Sequence, residues 1–351
     1  MIRSRLALLR SRIRRYWPRA KREIARVVRT EEKIPDTDSI LIYGHRYTLA
    51  DLNIALFLGY QPGDVPLLSK LADANAKSEV GFITDRYGIR TRTANLWPEM
   101  KPHDGAITGL PIPGSFHWET IEWLALFKSV LSAGDKYRLM ELGAGWGPAT
   151  VGSAVLARLR GIVDICVVAV EADPHHIRFL RQHLEDNRLA PDQFQIYEAA
   201  VGVENGIAEW PDAPGTSVEY GNRPITSDGD YLGRTIASTR KIPVVAINDL
   251  LNTQPEWDLL HVDIQGGEVE VLRAALDLCD ERVARVCIGT HSRKIDGDLF
   301  EMFARRGWIM EHEKPTKMTF VRGAKSLEAM NVVDGTQVWR NPLLRPDGVT
   351  S

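Results

Sequence analysis

The sequence predicts an α/β fold in which helices cover both faces of a doubly wound, mostly parallel sheet. Three observations predict it. Strand-like and helix-like segments alternate from about residue 116 onward, as they do in βαβ units. The segments "ICVVAV" and "VARVCIG" are almost continuously apolar, which is typical of strands buried on both faces. A glycine-rich turn, "GAGWG", follows the earlier strand-like segment "YRLMEL", at the position where doubly wound sheets bind ligands.

The chain begins with a basic segment. Residues 1–33 carry twelve lysines and arginines against three glutamates, so their net charge is +9 while the other residues sum to −11. Ile2, Leu6, Leu9 and Ile13 share one helical face. Two interpretations stay open: a helix that docks on an anionic membrane surface or on a partner protein, and an arm that is solvated or lies on its own domain.

Other sequence features limit the compartment and the class of protein. The longest apolar run of the basic segment is too short for a signal peptide, and no stretch reaches the roughly 18 apolar residues of a membrane span. Cys166, Cys279 and Cys287 lie in apolar segments without CxxC spacing, so they are expected to be reduced. The sequence therefore predicts a cytoplasmic protein, peripheral at the inner face of the membrane if its arm docks there.

The remaining chain divides into three predicted regions. Residues 34–115 are expected to form a mixed α+β extension that ends at the turn "GLPIPGS". Residues 116–325 are expected to form the main domain, and residues 326–351 a C-terminal tail. Within the main domain, residues 203–241 are rich in turn formers, which predicts an irregular lid or substrate loop.

The elements of the main domain follow from local patterns. The predicted strands are "YRLMELG", "DICVVAVE", "FQIYEAAVG", "KIPVVAI", "WDLLHVDI" and "RVARVCIGTH". The predicted helices cover residues 117–132, 148–159, 175–187 and 268–278. The closing pieces "GWIMEHE" and "KMTFVRG" are expected to form an antiparallel pair at the edge of the sheet.

The glycine turn and an acidic residue together predict a cofactor site. Gly143, Gly145 and Gly147 allow a tight turn and a close approach of backbone to a ligand, although alone they would also suit a sharp turn. Glu171 ends the second strand, where its carboxylate could accept hydrogen bonds from both hydroxyls of a ribose. Since Asp173 before a proline is the better helix cap, Glu171 remains available, and the two features predict a nucleoside-containing cofactor.

The spacing of the glycines favours one cofactor over another. A dinucleotide fingerprint needs GxGxxG and an acid about 20 residues further on, whereas this loop has GxGxG and a longer interval. S-adenosylmethionine has no phosphate and needs space and backbone contacts instead. Glu141, just before the glycines, is either a partner for the amino group of its methionine part or an ordinary strand-end residue.

Five motifs give a resemblance to a known family. In chain order, "ELGAGWG", "VAVEADP", "EAAVG", "WDLLHVDIQGGE" and "CIGTHSRKIDGDL" resemble those of the FkbM family of class I S-adenosylmethionine-dependent methyltransferases. The resemblance covers roughly residues 116–313, and the last two motifs are its specific part. It implies a Rossmann-like, seven-stranded sheet with a reversed last hairpin, and O-methylation of hydroxyl groups on sugars or polyketide-like metabolites.

The resemblance also implies roles for individual residues. Gly143 and Gly145 would line the cofactor, Glu171 would hold the ribose, and Ala200 and Val201 would border the adenine. Two neighbours of these motifs join the predicted cofactor-binding set: Ala172, and Trp146, whose size departs from the small or polar residue expected in the loop.

The reacting end of the site is predicted at the carboxyl ends of two later strands. His291 follows "RVCIGT", and its ordinary pKa near 6.5 suits a general base, although it could merely bridge a turn. Asp263 ends "DLLHVD" and could orient His291, bind substrate hydroxyls, help to hold a metal, or only cap the next helix. We predict both as catalytic residues.

Three more residues are predicted to bind the substrate. Glu268 lies in the first turn of a helix, where the helix dipole alone would also explain a carboxylate. Trp118 precedes the first strand, and Tyr220 lies in the irregular interval, where an aromatic ring suits a sugar or pins the loop. Asp263, Glu268 and His291 could together bind Mg²⁺, but so few carboxylates do not favour a metal.

The sequence thus predicts an S-adenosylmethionine-dependent O-methyltransferase that acts on a hydroxyl of a sugar, glycolipid precursor or related metabolite. The strand "WDLLHV" is followed by "DIQG" instead of NPPY or DPPY, and the body is acidic, so nucleic acid is not an expected partner. Two alternatives stay open: a nicotinamide-dependent oxidoreductase, and a scaffold that binds S-adenosylmethionine without turnover.

Overall fold

The computed structural model describes residues 39–42, 45–48, 58–112, 119–212, 221–225, 238–324 and 327–349. The chain divides into two compact units, Met1–Leu56 and Phe57–Ser351. In the first unit, β1 (Ser39–Ile42) and β2 (His45–Thr48) pair antiparallel. The predicted basic arm of residues 1–33 lies outside the described residues.

The second unit contains all further described strands and helices. The strands are β3 (Phe82–Thr84), β4 (Arg90–Arg92), β5 (Lys136–Leu142), β6 (Asp164–Glu171), β7 (Phe194–Glu198), β8 (Ala200–Gly202), β9 (Gly206–Pro211), β10 (Thr239–Ala246), β11 (Leu259–Val262), β12 (Arg285–Thr290), β13 (Ile309–Lys314), β14 (Lys317–Met318), β15 (Asn331–Val333) and β16 (Gly335–Arg340). The α-helices are α1 (Thr120–Ser132), α2 (Pro148–Leu159), α3 (Pro174–Asp186), α4 (Ile247–Leu251), α5 (Glu268–Ala274), α6 (Leu276–Arg282) and α7 (Arg293–Arg305). Four 3-10 helices cover Pro62–Ser69, Thr93–Asn95, Pro98–His103 and Glu328–Met330.

The main sheet has seven strands in the order β13, β16, β12, β11, β5, β6, β7. The five strands from β12 to β7 are parallel, and β16 is antiparallel to both of its neighbours. The predicted fold class, a mostly parallel seven-stranded sheet with an antiparallel edge hairpin, is confirmed. Because the parallel strands share one direction, the residues that follow β5, β6, β11 and β12 meet at the same edge of the sheet.

The composition of the edge hairpin differs from the prediction. "GWIMEHE" supplies β13, but its partner is β16, from the segment predicted to be a tail. "KMTFVRG" contributes only β14, which pairs with β15. The reason is burial: every residue of β16 is buried and Trp339 stacks on Phe303 of α7, whereas Phe320 is 83% exposed.

A second, three-stranded sheet has the order β8, β10, β9. The predicted strand "FQIYEAAVG" is divided between the two sheets, because the backbone N–H of Ala199 donates to the carbonyl of Glu171 (3.0 Å) and ends β7. "KIPVVAI" belongs to the second sheet as part of β10. The predicted irregular interval 203–241 therefore holds β9 and the start of β10, while its residues 213–220 and 226–237 lie outside the described part.

The helices pack on the strands as the apolar patterns predict. α4 to α7 share a buried cluster with β5, β6, β11 and β12, and α1 and α2 contact each other and the strands. Helix α2 has the predicted bounds, with a proline at its first position and left-handed Gly147 as its N-cap. The predicted helix 268–278 is two short helices, α5 and α6, which meet at Ala275.

The described part of the predicted extension packs within the second unit. The ring of Tyr87 lies 5.0 Å from that of Trp123 and 5.1 Å from that of Phe127, both on α1. Arg92 forms an ion pair of 2.7 Å with Asp186 at the end of α3. Residues 58–112 thus share one compact unit with the main sheet. No described helix combines the length and the apolar composition that crossing a membrane requires.

Candidate active site

The glycine loop after β5 lies against the residue that follows β11. Gly143 has φ +76°, and a Cβ atom there would lie 1.9 Å from the carbonyl oxygen of Asp263. The backbone N–H groups of Gly143 and Ala144 both donate to the carbonyl of Val170 on β6, at 3.0 Å. The loop is therefore fixed by the ends of both neighbouring strands, and no residue with a side chain could replace Gly143 without moving the backbone.

A cavity of about 430 Å³ opens beside this loop, within the usual range for small-molecule sites. Its walls come from the ends of β5, β6 and β11 and from the second sheet. Among the residues predicted to bind a cofactor, those in the walls are Gly143, Gly145, Glu171, Ala172, Ala200 and Val201. The structure thus brings most of the predicted set to one cavity, and what each of them binds stays a prediction.

Glu171 is a buried carboxylate at the cavity wall, and the backbone holds its position. Its Oε2 accepts a hydrogen bond from the N–H of Gly145 (2.7 Å), and its Oε1 accepts one from the N–H of Asp173 (2.7 Å). His176 Nδ1 lies 3.6 Å from Oε1. The contact with Gly145 joins the two motifs, glycine loop and strand-end acid, that the sequence analysis connected.

Glu141 does not lie where the sequence analysis placed it. Its carboxylate is outside the cavity walls and accepts hydrogen bonds from the N–H of Ala149 (3.2 Å) and from the N–H and hydroxyl of Thr150 (2.8 and 2.5 Å). Burial raises the pKa of Glu141 to about 8 despite these hydrogen bonds. Both oxygens bind the N-terminal turn of α2, which favours the alternative of a structural strand-end residue, and the contact with a methionine amino group stays a prediction.

Trp146 is also outside the cavity. Its side chain packs in a buried cluster with Ile83 and Leu96 of the extension, and its backbone carbonyl lies 3.2 Å from Nδ1 of His183. The ring thus lies in an apolar cluster and not in the cavity wall, and a contact of Trp146 with the cofactor stays a prediction that this position does not favour. Trp146 instead attaches residues 82–100 to the glycine loop.

Three residues after β11 and β12 form a hydrogen-bonded chain. Nε2 of His291 lies 3.2 Å from Oδ1 of Asp263, and its Nδ1 lies 2.9 Å from Oε1 of Glu268. Glu268 is completely buried (0% exposed), and the same Oε1 accepts a hydrogen bond from the N–H of Gly266 (2.9 Å). The imidazole of His291 therefore lies between two carboxylates, one buried and one at the cavity wall.

This arrangement decides the protonation of His291. Burial by itself would lower the pKa of His291, but its hydrogen bonds and charge interactions with Asp263 and Glu268 outweigh burial and raise the pKa well above the usual value. At neutral pH the ring is a cation whose two N–H groups donate to carboxylates. Both ring nitrogens face carboxylates and the residue is outside the cavity walls, so the geometry favours Asp263 over His291 as the proton acceptor, and the role of His291 as general base stays a prediction.

Of the three hydrogen-bonded residues Asp263, Glu268 and His291, Asp263 is the one that lies in the cavity wall. Its side chain is 42% exposed, and its Oδ1 also accepts a hydrogen bond from the amide of Gln265 (3.0 Å). Burial works to raise the pKa of Asp263, but the hydrogen bond and charge of His291, with smaller contributions from His261 and Gln265, hold it below its usual value. Asp263 is thus an ionised acceptor at the cavity wall.

The other substrate-binding predictions have different outcomes. Glu268 is completely buried and contacts His291, so its position favours holding the imidazole, and its contact with a substrate stays a prediction. Trp118 and Tyr220 lie outside the described residues, so they stay predictions.

The same three residues are a candidate metal site. One ligand atom from each of Asp263, Glu268 and His291 lies within 4.8 Å of the other two. However, the two carboxylates bind opposite nitrogens of one ring, so the three groups do not converge on one point. The geometry fits a shared proton better than a divalent ion, and metal dependence stays an unfavoured prediction.

Gln265 and Arg223 are two of the cavity-wall residues that the sequence patterns did not predict. Gln265, which bonds to Asp263, has φ +58°, a left-handed backbone that is uncommon outside glycine. It lies within the quoted motif "VDIQGGE", so the motif was the available signal. Arg223 reaches over the same loop, with its Nη1 3.4 Å from the carbonyl of Gln265, and nothing in its turn-rich surroundings indicated this position.

Comparison with known proteins agrees with the geometry. A family model described as "Methyltransferase FkbM domain" matches residues 152–309. A protein of Jannaschia sp. (strain CCS1), named "Putative methyltransferase", is 32% identical over 272 residues, which are 77% of this chain and 95% of that protein.

Solved structures are similar at lower levels. A methyltransferase FkbM from Methylobacillus flagellatus KT has 15% identity and a TM-score of 0.35, over 58% of this chain and 44% of that one. The precorrin-6y C5,15-methyltransferase of Geobacter metallireducens GS-15 has 13% identity and a TM-score of 0.35, over 66% of this chain and 89% of that one. The family model and the Jannaschia relative agree with each other, and the chain belongs to the FkbM methyltransferase family.

Proposed function

We propose that this chain is an S-adenosylmethionine-dependent O-methyltransferase, which methylates a hydroxyl of a sugar, a glycolipid precursor or a related metabolite. Membership of the FkbM methyltransferase family supports the reaction, and methyltransferases of this fold generally use S-adenosylmethionine. The observation that carries the proposal is the position of Asp263, an ionised acceptor in the same cavity as Glu171.

The charges in the cavity wall fit this cofactor. Four carboxylates line the described part of the cavity, those of Glu171, Asp173, Asp263 and Glu270. S-adenosylmethionine carries a sulfonium and an ammonium group, and opposite charges at short range stabilise it. When bound, it supplies a methyl group that is activated by the sulfonium. Glu171 would hold the ribose, and Ala200 and Val201 would border the adenine.

Asp263 would handle the proton of the acceptor. Its carboxylate would accept a hydrogen bond from the acceptor hydroxyl and so orient the oxygen toward the methyl group. As that oxygen becomes methylated it turns strongly acidic, so even a carboxylate of lowered pKa can take its proton late in the reaction. His291, held by Glu268, would keep Asp263 ionised and in place until then.

Titration calorimetry tests the cofactor. We expect S-adenosylmethionine and S-adenosylhomocysteine to bind to the full chain and NAD not to bind, with binding of the first two lost in Glu171→Ala. The opposite preference would refute the proposal in favour of the nicotinamide-dependent alternative.

A second experiment separates catalysis from binding alone. Methyl transfer to a panel of sugars and lipid-linked sugars is measured as formation of S-adenosylhomocysteine, with Asp263→Asn as the matched variant. Turnover that depends on Asp263 supports the enzyme. Binding of S-adenosylmethionine without turnover of any acceptor, together with an unaltered cellular function of Asp263→Asn, would favour a scaffold.

We further propose that the basic residues 1–33 bring the enzyme to an anionic membrane surface. Their net charge of +9 and their amphipathic pattern support this. Flotation of the intact chain with anionic liposomes, compared with a chain that starts at Ile34, tests it. Equal flotation of the intact and the shortened chain would refute this membrane-binding proposal.

A further inference from the structure

Trp210 of β9 combines deep burial with an unused hydrogen-bond donor. Its side chain is 7% exposed and packs with Ala172 and Ala200. Its indole N–H has no acceptor among the described residues. A buried donor left without a partner costs free energy, and native structures nearly always satisfy such groups. The donor is therefore one that a bound molecule would satisfy.

The position of Trp210 indicates where that molecule lies. Trp210 is part of the cavity wall, as are Ala172 and Ala200 beside it. Ala172 directly follows Glu171, so Trp210 lies next to the part of the cavity in which the proposed function places the nucleoside. A ligand that reached Glu171 through its ribose would bring its base to the wall that Ala200, Val201 and Trp210 form.

The second sheet is docked firmly enough for Trp210 to act as a fixed contact. Arg240 is the residue opposite Trp210 in the pairing of β9 with β10. Its Nη2 donates to the carbonyl of Ala172 (3.1 Å) and lies 3.7 Å from a carboxylate oxygen of Asp173. The strand that carries Trp210 is thus joined, through its neighbour, to the loop that carries Glu171.

We propose that Trp210 donates a hydrogen bond from its indole N–H to a ring nitrogen of the cofactor's adenine, and so selects a purine base at this end of the cavity. The indole is a donor only, and N1, N3 and N7 of adenine are acceptors. This inference rests on the proposed function, because it requires a nucleoside cofactor in the cavity.

Calorimetry with S-adenosylhomocysteine tests the contact. Trp210→Phe retains an aromatic ring and removes only the donor and part of the ring area, and we expect its Kd to rise about five- to tenfold, as for one hydrogen bond. The matched control is Trp308→Phe, since the N–H of Trp308 donates to Asp280 (2.7 Å) and the residue is outside the cavity walls. We expect the Kd of this control to equal that of the wild type.

Analogues of S-adenosylhomocysteine give a second test, the first part of which uses the wild type alone. In these analogues, carbon replaces N1, N3 or N7 of the adenine. For one of the three, we expect wild-type affinity to fall about five- to tenfold, and Trp210→Phe to bind that analogue as well as it binds the parent compound. Such non-additivity is the signature of a direct contact.

The outcomes are distinguishable. Equal affinity of the wild type and Trp210→Phe, or equal losses for every analogue in both proteins, would overturn this inference and leave the proposed function intact. A wild type that does not bind S-adenosylhomocysteine at all would overturn the proposed function, and the inference with it.

Discussion

Replacing Glu268 by glutamine removes one negative charge from a buried cluster and keeps its shape. In the wild type, Oε1 of Glu268 accepts hydrogen bonds from His291 and from the N–H of Gly266. Removing one partner of a buried ion pair costs about 3–5 kcal/mol when the remaining charge is left alone. Here Asp263 still faces the imidazolium, and the glutamine oxygen can still accept from Gly266. We therefore expect the free energy of unfolding to fall by about 1.5–3 kcal/mol, as for one hydrogen bond to a charged group.

The decrease in the free energy of unfolding caused by Glu268→Gln should depend on pH in a defined direction. The pKa of His291 is raised in the folded protein, so its stabilising effect is fully present below its unfolded value of about 6.5. That effect disappears as the pH rises through the folded pKa. The difference between the wild type and Glu268→Gln should therefore be largest at pH 6 and should shrink in alkaline solution.

Urea unfolding at pH steps from 6 to 10 measures this difference, with Glu270→Gln as the control. Glu270 lies in the same first turn of α5 but is exposed, so its replacement should change stability little and without this pH dependence. A penalty for Glu268→Gln that stays constant across the range would refute the reasoning, because His291 would then not carry a buried charge.

Three further predictions concern other parts of the site. Asp263→Asn should lower the rate of methyl transfer by about 10²–10⁴-fold, the usual contribution of a general base, and should weaken binding of S-adenosylhomocysteine, which lacks the sulfonium charge, far less by calorimetry; a variant with half of the wild-type rate would contradict the role given to Asp263. Trp146→Ala should lower the free energy of unfolding by about 3–5 kcal/mol, because it removes the ring that packs between residues 82–100 and the glycine loop. It should also speed proteolytic cleavage within residues 58–112. An unchanged cleavage rate would argue against this attachment. Burial raises the pKa of Glu141 from 4.5 to about 8, so wild-type stability should fall as the pH rises through that window, and unfolding curves of Glu141→Gln should lack this fall; parallel pH dependence of the two proteins would refute the assignment.

The sequence predicted elements whose signals are local. Helix α2 has the expected bounds, since a glycine before it and a proline at its first position mark its start. The strand ends that carry Glu171 and Asp263 were also expected at one edge, because parallel strands bring their carboxyl ends together. These predictions needed only neighbouring residues and the direction of the chain.

The predictions that failed depend on partners distant in sequence. Both "KMTFVRG" and the segment that contains β16 have a strand-like composition, and local pattern does not say which one pairs with β13. Likewise, Glu268 and His291 were grouped only as possible metal ligands, because the local pattern does not show that the carboxylate of Glu268, 23 residues earlier, bonds to one nitrogen of the His291 ring while Asp263 bonds to the other. Trp146 turned away from the cofactor site because its apolar partners come from residues 82–100.

The position of β16 has a consequence for the order in which the protein can fold during synthesis. β16 lies between β12 and β13, although it follows both in the chain. Until β16 has left the ribosome, one edge of β12 has no partner strand, and the side chains of β12, which are buried in the folded protein, are exposed there. β13 also has no strand to pair with until then. Domains that fold during translation expose such edges to other chains. β16, which is synthesised after the other six strands of this sheet, therefore determines when the sheet is protected from aggregation.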